Sequence, residues 1–286
     1  MKFIFILLAI PLVTVAQHQE RTVFLYNTLL GGLSAGIGAT INKPKDRDWK
    51  AAFVKGLWQG SIGGTVNYSS KKMLHLIYKN QNVAFALPAK LLNAAGNSII
   101  ENAALSEPFL QNWNIDYGLV RFDFSVNGKR KFTARFLPMS VYTIIDGAKD
   151  SKLDWKTSLW SGNIVFSYNK GYFFTRRGDN FLGGSTGRGF IYVGKQTDSV
   201  VHYTIAHELV HEFQYKEYQV FNAWFKPFEQ KVKSKTLQKL FSHFIYFDVP
   251  YFFAVYRLEG FQEYSNSSKN FFEFEADRFA SNSFVK

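Results

Sequence analysis

Alternation of hydrophobic and polar positions divides the chain into three zones. Residues from about 21 to 106 are dominated by small and apolar side chains with little β-branched alternation, which predicts helices. Residues from about 117 to 195 carry short runs of period two, which predict antiparallel strands. Residues from about 198 to 286 return to helical spacing. The pattern predicts an α+β fold in which a helical zone precedes a central antiparallel β meander and a second helical region.

Regular glycine spacing distinguishes the N-terminal helical zone. A helix capped by Asp46 or Asp48 is predicted to run through Trp49 towards Ile77. Glycines recur every four residues, at Gly56, Gly60 and Gly64 in this helix and at Gly32 and Gly36 before it. Such rows let helix backbones approach closely, and they are common in membrane helix pairs. Because Thr22–Ile41 contains polar residues and is not a clean apolar span, we expect closely packed helices in a soluble or peripheral region, with membrane insertion as the alternative.

Several strands are predicted in the central zone. Tyr117–Val126 and Lys129–Leu137 alternate on either side of Asn127-Gly128, which favours a hairpin because both turn positions need positive φ. Asn169-Lys170-Gly171 is a second turn candidate, and Phe181–Gly189, with its four glycines, is interpreted as a flexible connection. Further strands are predicted at Ser140–Ile145, Asn163–Tyr168, Tyr172–Thr175 and Phe190–Val193.

The segment Leu240–Tyr256 is almost entirely aromatic and apolar. We interpret it as core, with a hydrophobic substrate wall or a membrane-contacting surface as alternatives. Aromatic side chains bury large areas and also suit a membrane interface, so composition alone leaves these alternatives open.

The first sixteen residues are predicted to be a secretory signal peptide. Lys2 supplies a positive charge, Phe3–Val15 an apolar stretch, and Thr14-Val15-Ala16 a small-residue cleavage site. An uncleaved N-terminal anchor is the alternative, although the apolar stretch is shorter than a bilayer requires. The rest divides into the glycine-spaced helical region, 17–110, and residues 111–286. An exported protein of this kind would be periplasmic, associated with the outer membrane, or secreted.

Charge and cysteine content restrict the partners. The chain has a net charge of +12 and no cysteine, so disulfides are excluded even though export allows them. A basic exported protein is expected to meet anionic lipid, polysaccharide or acidic protein, and contact with a membrane surface is one expectation. The Lys and Arg residues are scattered and form no nucleic-acid module, so nucleic acid is not expected as a partner.

The run His207-Glu208-Leu209-Val210-His211 is the main candidate for chemistry. Apolar residues recur near helical spacing around it, at Val201, Ile205, Leu209 and Phe213. On a helix, His207 and His211 face the same way and can bind one Zn²⁺, while Glu208 can activate water on the metal. The alternative is a pair of core histidines beside a surface glutamate.

A third ligand is expected near the C-terminus. The metzincin extension would require Gly and His where this chain has Gln214 and Glu217. Glu273 and Asp277 are four residues apart, so Glu273 could bind zinc while Asp277 accepts a hydrogen bond from a zinc histidine. Glu275 is expected to face solvent. The alternative is an acidic helix face paired with neighbouring basic side chains.

His-Glu-Leu-Val-His followed by Glu-Phe-Glu-Ala-Asp-Arg resembles the gluzincin clan of zinc peptidases. The Glu-x-Glu-Ala-Asp form is similar to membrane-linked metallopeptidases of the prenyl-protein protease type and to small minimal gluzincins. The resemblance implies that His207, His211 and Glu273 bind zinc, that Glu208 is the general base, and that Asp277 orients His207. It covers the C-terminal third and one preceding strand, and the chain also resembles exported proteins of unknown function from Bacteroidota.

The sequence therefore predicts an exported zinc metallopeptidase acting on a protein or peptide substrate. In gluzincins an edge strand before the active helix binds the extended substrate, which implies that role for Phe190–Val193. The candidate oxyanion stabilisers are Tyr264, Tyr251, His243 and His202. The alternatives are a non-catalytic envelope protein with a structural or degenerate zinc site, and a membrane-inserting protein regulated by that site.

Overall fold

The computed structural model describes residues 20–281 with interruptions. The residues outside this description are 1–19, 128–131, 139, 142–144, 146–150, 169–172, 175–179, 182–183, 188, 195–196, 230, 247–248, 250, 253, 257–269 and 282–286. The predicted signal peptide, the predicted turn at 169–171 and Tyr264 thus lie outside the described residues. The described chain is a mixture of helix and sheet, which confirms the predicted α+β class.

The N-terminal region consists of helices α1, α2, α3 and α4. They span Glu20–Asn42, Trp49–Met73, His75–Asn80 and Ala86–Ala104, with a 3-10 turn at Val83–Phe85. Asp48 caps α2 by accepting a hydrogen bond of 2.9 Å from the backbone N–H of Ala51, as one of the two predicted caps requires. The predicted helix does not run unbroken to Ile77, because the N–H of Leu74 bonds to the carbonyl of Lys71, three residues back, and so tightens the turn.

The glycine rows allow α1 and α2 to pack backbone to backbone. A Cβ added to Gly56 would lie 2.7 Å from Cβ of Ala39, and one added to Gly31 would lie 2.5 Å from the carbonyl oxygen of Gly60. Gly63 approaches α4 in the same way. A side chain at these positions would force the helices apart, so the predicted close approach is confirmed.

Two helical stretches are long and apolar enough to cross a membrane by length and composition, Glu20–Asn42 and Val83–Ala104. The first stretch meets this criterion although it contains the polar residues noted above, because the criterion averages hydropathy over the window. In each stretch 56% of the most apolar window is buried inside the protein. Core helices of soluble proteins have the same composition, so the finding favours neither alternative.

The first sheet is an antiparallel meander of β1 (Asn112–Tyr117), β2 (Val120–Ser125) and β3 (Phe132–Phe136). Strands β2 and β3 pair antiparallel as predicted, while Gly128 of the predicted turn lies outside the described residues. Tyr117 does not open β2 as predicted, because Gly118, with φ of +55°, turns the chain between β1 and β2.

The second sheet is mixed. Its order is β4-β5-β9-β8, with strands at Ser151–Leu153, Ile164–Tyr168, Phe190–Gly194 and Gly184–Gly187. Strands β5 and β9 are parallel, so the central zone is not one antiparallel meander as predicted. Phe181–Gly189 was expected to be only a flexible connection, yet it contains β8, which pairs with β9. Consequently β9 lies inside the sheet, and the expectation that Phe190–Val193 forms its edge is wrong.

The remaining predicted strands are only partly present. A two-stranded ladder joins β6 (Phe173–Phe174) to β7 (Asn180–Phe181), which covers part of Tyr172–Thr175. The strand predicted at Ser140–Ile145 is wrong, since its described residues are helical. A backbone hydrogen bond of 3.2 Å from the N–H of Ser140 to the carbonyl of Leu137 closes a helical turn there.

Helices return after the second sheet, as predicted. Short helix α5 (Trp155–Ser161) precedes β5, and the C-terminal part contains α6 (Asp198–Tyr218), a 3-10 helix (Gln219–Phe225), α7 (Lys226–Glu229), α8 (Lys235–His243) and α9 (Phe271–Ser281). Buried side chains of α1, α4, α6, α9 and β9 form one hydrophobic cluster. The N-terminal helices therefore share a core with the helices that carry the HExxH motif.

The aromatic segment Leu240–Tyr256 is core only in part, and Tyr246 is one of its buried residues. Phe252 and Val255 are buried, whereas Phe244 is 58% exposed. The prediction that this segment is core is therefore right for the buried residues and wrong for Phe244, where α8 ends at the surface.

Candidate metal centre

Three predicted ligands meet where α9 packs against α6. The Nε2 atoms of His207 and His211 lie 3.1 Å apart. The Oε2 atom of Glu273 is 3.3 Å from Nε2 of His207, and its Oε1 atom is 3.4 Å from Nε2 of His211. One ligand atom from each residue thus lies within 4.8 Å of the others, so the group is close enough to hold a metal ion.

The local sequence explains why these side chains converge. Helix α6 is anchored by fully buried apolar residues beside the motif, including Ala206, Leu209 and Val210. Helix α9 is anchored by Phe272 and Ala276, which are also fully buried. With both helices fixed in the core, residues four apart on α6 and the first turn of α9 project into the same space.

The second ring nitrogen of each histidine faces an oxygen. Nδ1 of His207 lies 3.0 Å from Oδ1 of Asp277, and Nδ1 of His211 lies 2.8 Å from Oε1 of Gln214. A proton on Nδ1 of His211 directed at Gln214 leaves the Nε2 lone pair facing Glu273. Nδ1 of His207 lies at ion-pair distance from Asp277 but without hydrogen-bond geometry. The predicted contact between Asp277 and His207 is therefore present, while the partner of His211 was not predicted.

Two tyrosines complete the surroundings of the ligands. The hydroxyl of Tyr256 donates to Oε1 of Glu273 at 2.7 Å, and that of Tyr203 donates to Oδ1 of Asp277 at 2.8 Å. Sequence reasoning missed both. Tyr203 lies four residues before His207 on the same helix face, so helical spacing contained its signal. No comparable spacing pointed to Tyr256.

The acidic side chains make the site attractive to a cation. Burial lowers the pKa of His207, but Asp277 and Glu273 outweigh it and raise this pKa to about 10. At His211 burial is likewise outweighed by Glu273, which raises the pKa. Burial alone would raise the pKa of Glu273, yet the two histidines hold it well below its ordinary range. A metal ion here would replace ring protons with its own positive charge.

Glu208 is suited to move a proton. It follows the first ligand on α6 and is 5% exposed. Burial raises its pKa, and the neighbouring His211 and His207 oppose that shift only in part. Because its pKa is raised, this carboxylate is a stronger base than an exposed glutamate.

Glu275 faces the interior, contrary to the expectation that it faces solvent. It is completely buried. Its Oε1 atom accepts hydrogen bonds from Lys71 at 2.9 Å and from Asn27 at 2.7 Å. Lys71 is also completely buried and pairs with Glu217. A buried cation therefore compensates the buried charge, which helical periodicity alone could not reveal.

The three predicted oxyanion stabilisers among the described residues make other contacts. His202 is tied to the carbonyl of Asp198, with its Nδ1 at 2.7 Å, and His243 to the hydroxyl of Ser242, with its Nδ1 at 2.5 Å. Tyr251 packs its ring against the aromatic ring of Phe221. Among the described residues, Tyr256 is the hydroxyl donor in contact with a ligand carboxylate, whereas Tyr264 lies outside the description.

Comparisons of this chain with protein-family models, with curated proteins and with solved structures return no match.

Proposed function

We propose that this protein is a zinc-dependent peptidase that hydrolyses peptide bonds with Glu208 as general base. One observation carries the proposal: both Nε2 atoms face Glu273 while Asp277 and Gln214 engage the opposite ring nitrogens. Two imidazole Nε2 atoms and one carboxylate that point at a common position match the ligand arrangement of a catalytic zinc site. The resemblance of the two motifs to gluzincins supports the same conclusion.

The donor set favours zinc. Two imidazoles and one carboxylate are ligands of catalytic zinc sites, which keep a further position open for water or substrate. The site is also accessible, since the side chains of His207 and Glu273 are 15% and 26% exposed. When bound, Zn²⁺ would polarise the substrate carbonyl and acidify water.

Four side chains around the site have separate roles in the proposed hydrolysis. Glu208 takes a proton from the attacking water and returns it to the leaving nitrogen as the C–N bond breaks and the C–O bond forms. Asp277 and Gln214 hold the two histidine rings in orientation. Tyr256 replaces the sequence candidates as the proposed donor to the developing oxyanion, because its hydroxyl lies against Glu273.

Strand β8 is the proposed docking strand for an extended peptide. It is the terminal strand of the second sheet as described and lies next to β9. A strand at the end of a sheet can pair with the backbone of an extended peptide. Its glycines would let that peptide approach closely. Export, and contact with a membrane surface, are proposed on the N-terminal sequence and the basic charge alone.

Metal analysis tests the ligand set. We expect wild-type protein to bind one zinc ion per chain and Glu273→Ala to lose most of it. Glu229→Ala is the control, because Glu229 is an exposed glutamate of α7 with a side-chain exposure of 53%. Zinc that remains at the wild-type level in Glu273→Ala would overturn the assignment.

Cleavage of a peptide library tests the chemistry. Glu208→Gln should retain zinc and lose about 10²–10⁴-fold in turnover, the usual contribution of a general base. Glu229→Gln should cleave as wild type does. Stoichiometric zinc with no cleavage by wild type would instead support the structural-site alternative.

A further inference from the structure

Gln214 connects the ligand His211 to the buried Glu275. Its Oε1 atom lies 2.8 Å from Nδ1 of His211, and its Nε2 atom donates to Oε2 of Glu275 at 2.7 Å and to the carbonyl of Phe272 at 3.1 Å. A backbone carbonyl only accepts hydrogen bonds, so the amide nitrogen must face Phe272. The amide oxygen is therefore directed at His211, which selects the ring form with its proton on Nδ1.

Glu275 is held in turn by the glycine-spaced helices. Lys71 of α2 donates to its Oε1 atom at 2.9 Å, and Asn27 of α1 donates to the same atom at 2.7 Å. All three side chains are at most 2% exposed. Asn27 and Glu275 are 248 residues apart in sequence, so this contact exists only when the first and last helices of the described chain are both in place.

We infer that Lys71 and Asn27 are positioning residues of the metal centre, acting on His211 through Glu275 and Gln214. The inference rests on the metal-binding part of the proposed function. It assigns the N-terminal helices a part in the site, although none of their residues is a candidate ligand. The positive charge of Lys71 holds the Glu275 carboxylate in the position at which its Oε2 atom accepts the hydrogen bond from Gln214.

Zinc affinity in matched lysine variants tests the inference. Lys71→Met should raise the zinc dissociation constant about 10-fold. This is the lower end of the range for losing a hydrogen-bond partner of a metal ligand, because Lys71 acts on His211 through Glu275 and Gln214. Lys72→Met is the control, because Lys72 is the next residue of α2, pairs with Glu20 and has a side-chain exposure of 41%. It should bind zinc as wild type does. Affinity is measured by competition with a chelator, which requires no catalysis.

A double-mutant cycle separates positioning from general loss of structure. Gln214→Leu removes the connection, so Lys71→Met should change zinc affinity less than about twofold in that background. The visible absorption of the Co²⁺-loaded protein should shift in both single variants and shift no further in the double variant. Additive losses would show that Lys71 acts on stability alone and would overturn the inference.

If Lys71→Met does not fold, a less disruptive variant and its control still test the inference. Asn27→Ala should weaken zinc binding at least about threefold, since it removes one hydrogen bond to a charged group. Asn80→Ala, at an exposed asparagine of α3, should have no effect. Wild-type zinc affinity in folded Asn27→Ala would also overturn the inference.

These outcomes are distinguishable from failure of the proposed function. Wild-type protein that binds zinc but cleaves no peptide removes the peptidase proposal and leaves the affinity comparison intact. Unchanged affinity in folded Lys71→Met removes the inference and leaves the peptidase proposal intact.

Discussion

The two histidines of the candidate metal centre are supported in opposite ways. His207 is held by Asp277, whose side chain is 58% exposed and which belongs to the same helix as Glu273. His211 is held by Gln214, which is completely buried and leads to the N-terminal helices. One ligand thus has a solvent-facing ionic partner, and the other a neutral partner inside the core.

The difference indicates how each ligand responds to its surroundings. Solvent and salt screen the Asp277 contact, so its contribution is modest and adjustable. The Gln214 contact cannot be replaced by water, and its loss leaves buried polar groups without partners. The site therefore combines one tunable ligand with one that depends on the integrity of the fold.

The largest expected effect concerns the buried charges behind His211. Lys71→Met should lower the free energy of unfolding by about 3–5 kcal/mol, because it leaves buried carboxylates without their cation. Lys72→Met should change it by less than about 1 kcal/mol, since its ion pair with Glu20 is partly exposed. Urea denaturation of the metal-free variants measures both values, and equal losses would contradict the contrast drawn between buried and exposed support.

The next largest effect is expected when the two residues that contact the histidine rings, Gln214 and Asp277, are replaced. Gln214→Leu should weaken zinc binding by about 10–100-fold, and Asp277→Asn by about 10-fold. Only the Asp277→Asn difference should shrink as salt rises, because only that contact is exposed. Chelator competition at low and high ionic strength measures this, and equal salt dependence would remove the distinction.

Alkaline pH should destabilise the metal-free protein. The folded-state pKa of His207 is raised to about 10, above its unfolded value of about 6.5. Its stabilising contribution is therefore whole below pH 6.5 and is lost as pH rises through 10, by about 2 kcal/mol between pH 8 and 10. Thermal unfolding of wild type and Asp277→Asn across this window is the measurement, and Asp277→Asn should show the weaker dependence.

The smallest expected effect lies at Tyr203. Tyr203→Phe removes the hydroxyl that donates to the partly exposed Asp277, so zinc affinity should fall only about twofold to threefold, at the lower end for a hydrogen bond. Tyr78→Phe, which keeps the ring that packs against Tyr203, is a matched control. A loss as large as that of Gln214→Leu would show that the His207 side is as tightly held as the His211 side.

Local spacing predicted the parts of this site that lie within single helices. His207 and His211 are four residues apart, as are Glu273 and Asp277, so helical periodicity brings each pair to one face. Glu275 escaped the same reasoning because its burial depends on Lys71, which is 204 residues distant and recognisable as its partner only in three dimensions. Likewise, β9 was correctly predicted as a strand, but its neighbours in the sheet depend on β8, whose glycines suggested a loop.

The contact between Asn27 and Glu275 bears on when, during synthesis and folding, the metal centre can form. Protein chains are made from the N-terminus, and contacts between distant residues form late in folding because a long loop must close first. Glu273 and Glu275 are in α9 and are synthesised after α1–α8, so a chain made only as far as α8 has neither the third candidate ligand nor the support of His211. The candidate metal centre therefore forms only after α9 has docked against a helix made at the start of the described chain.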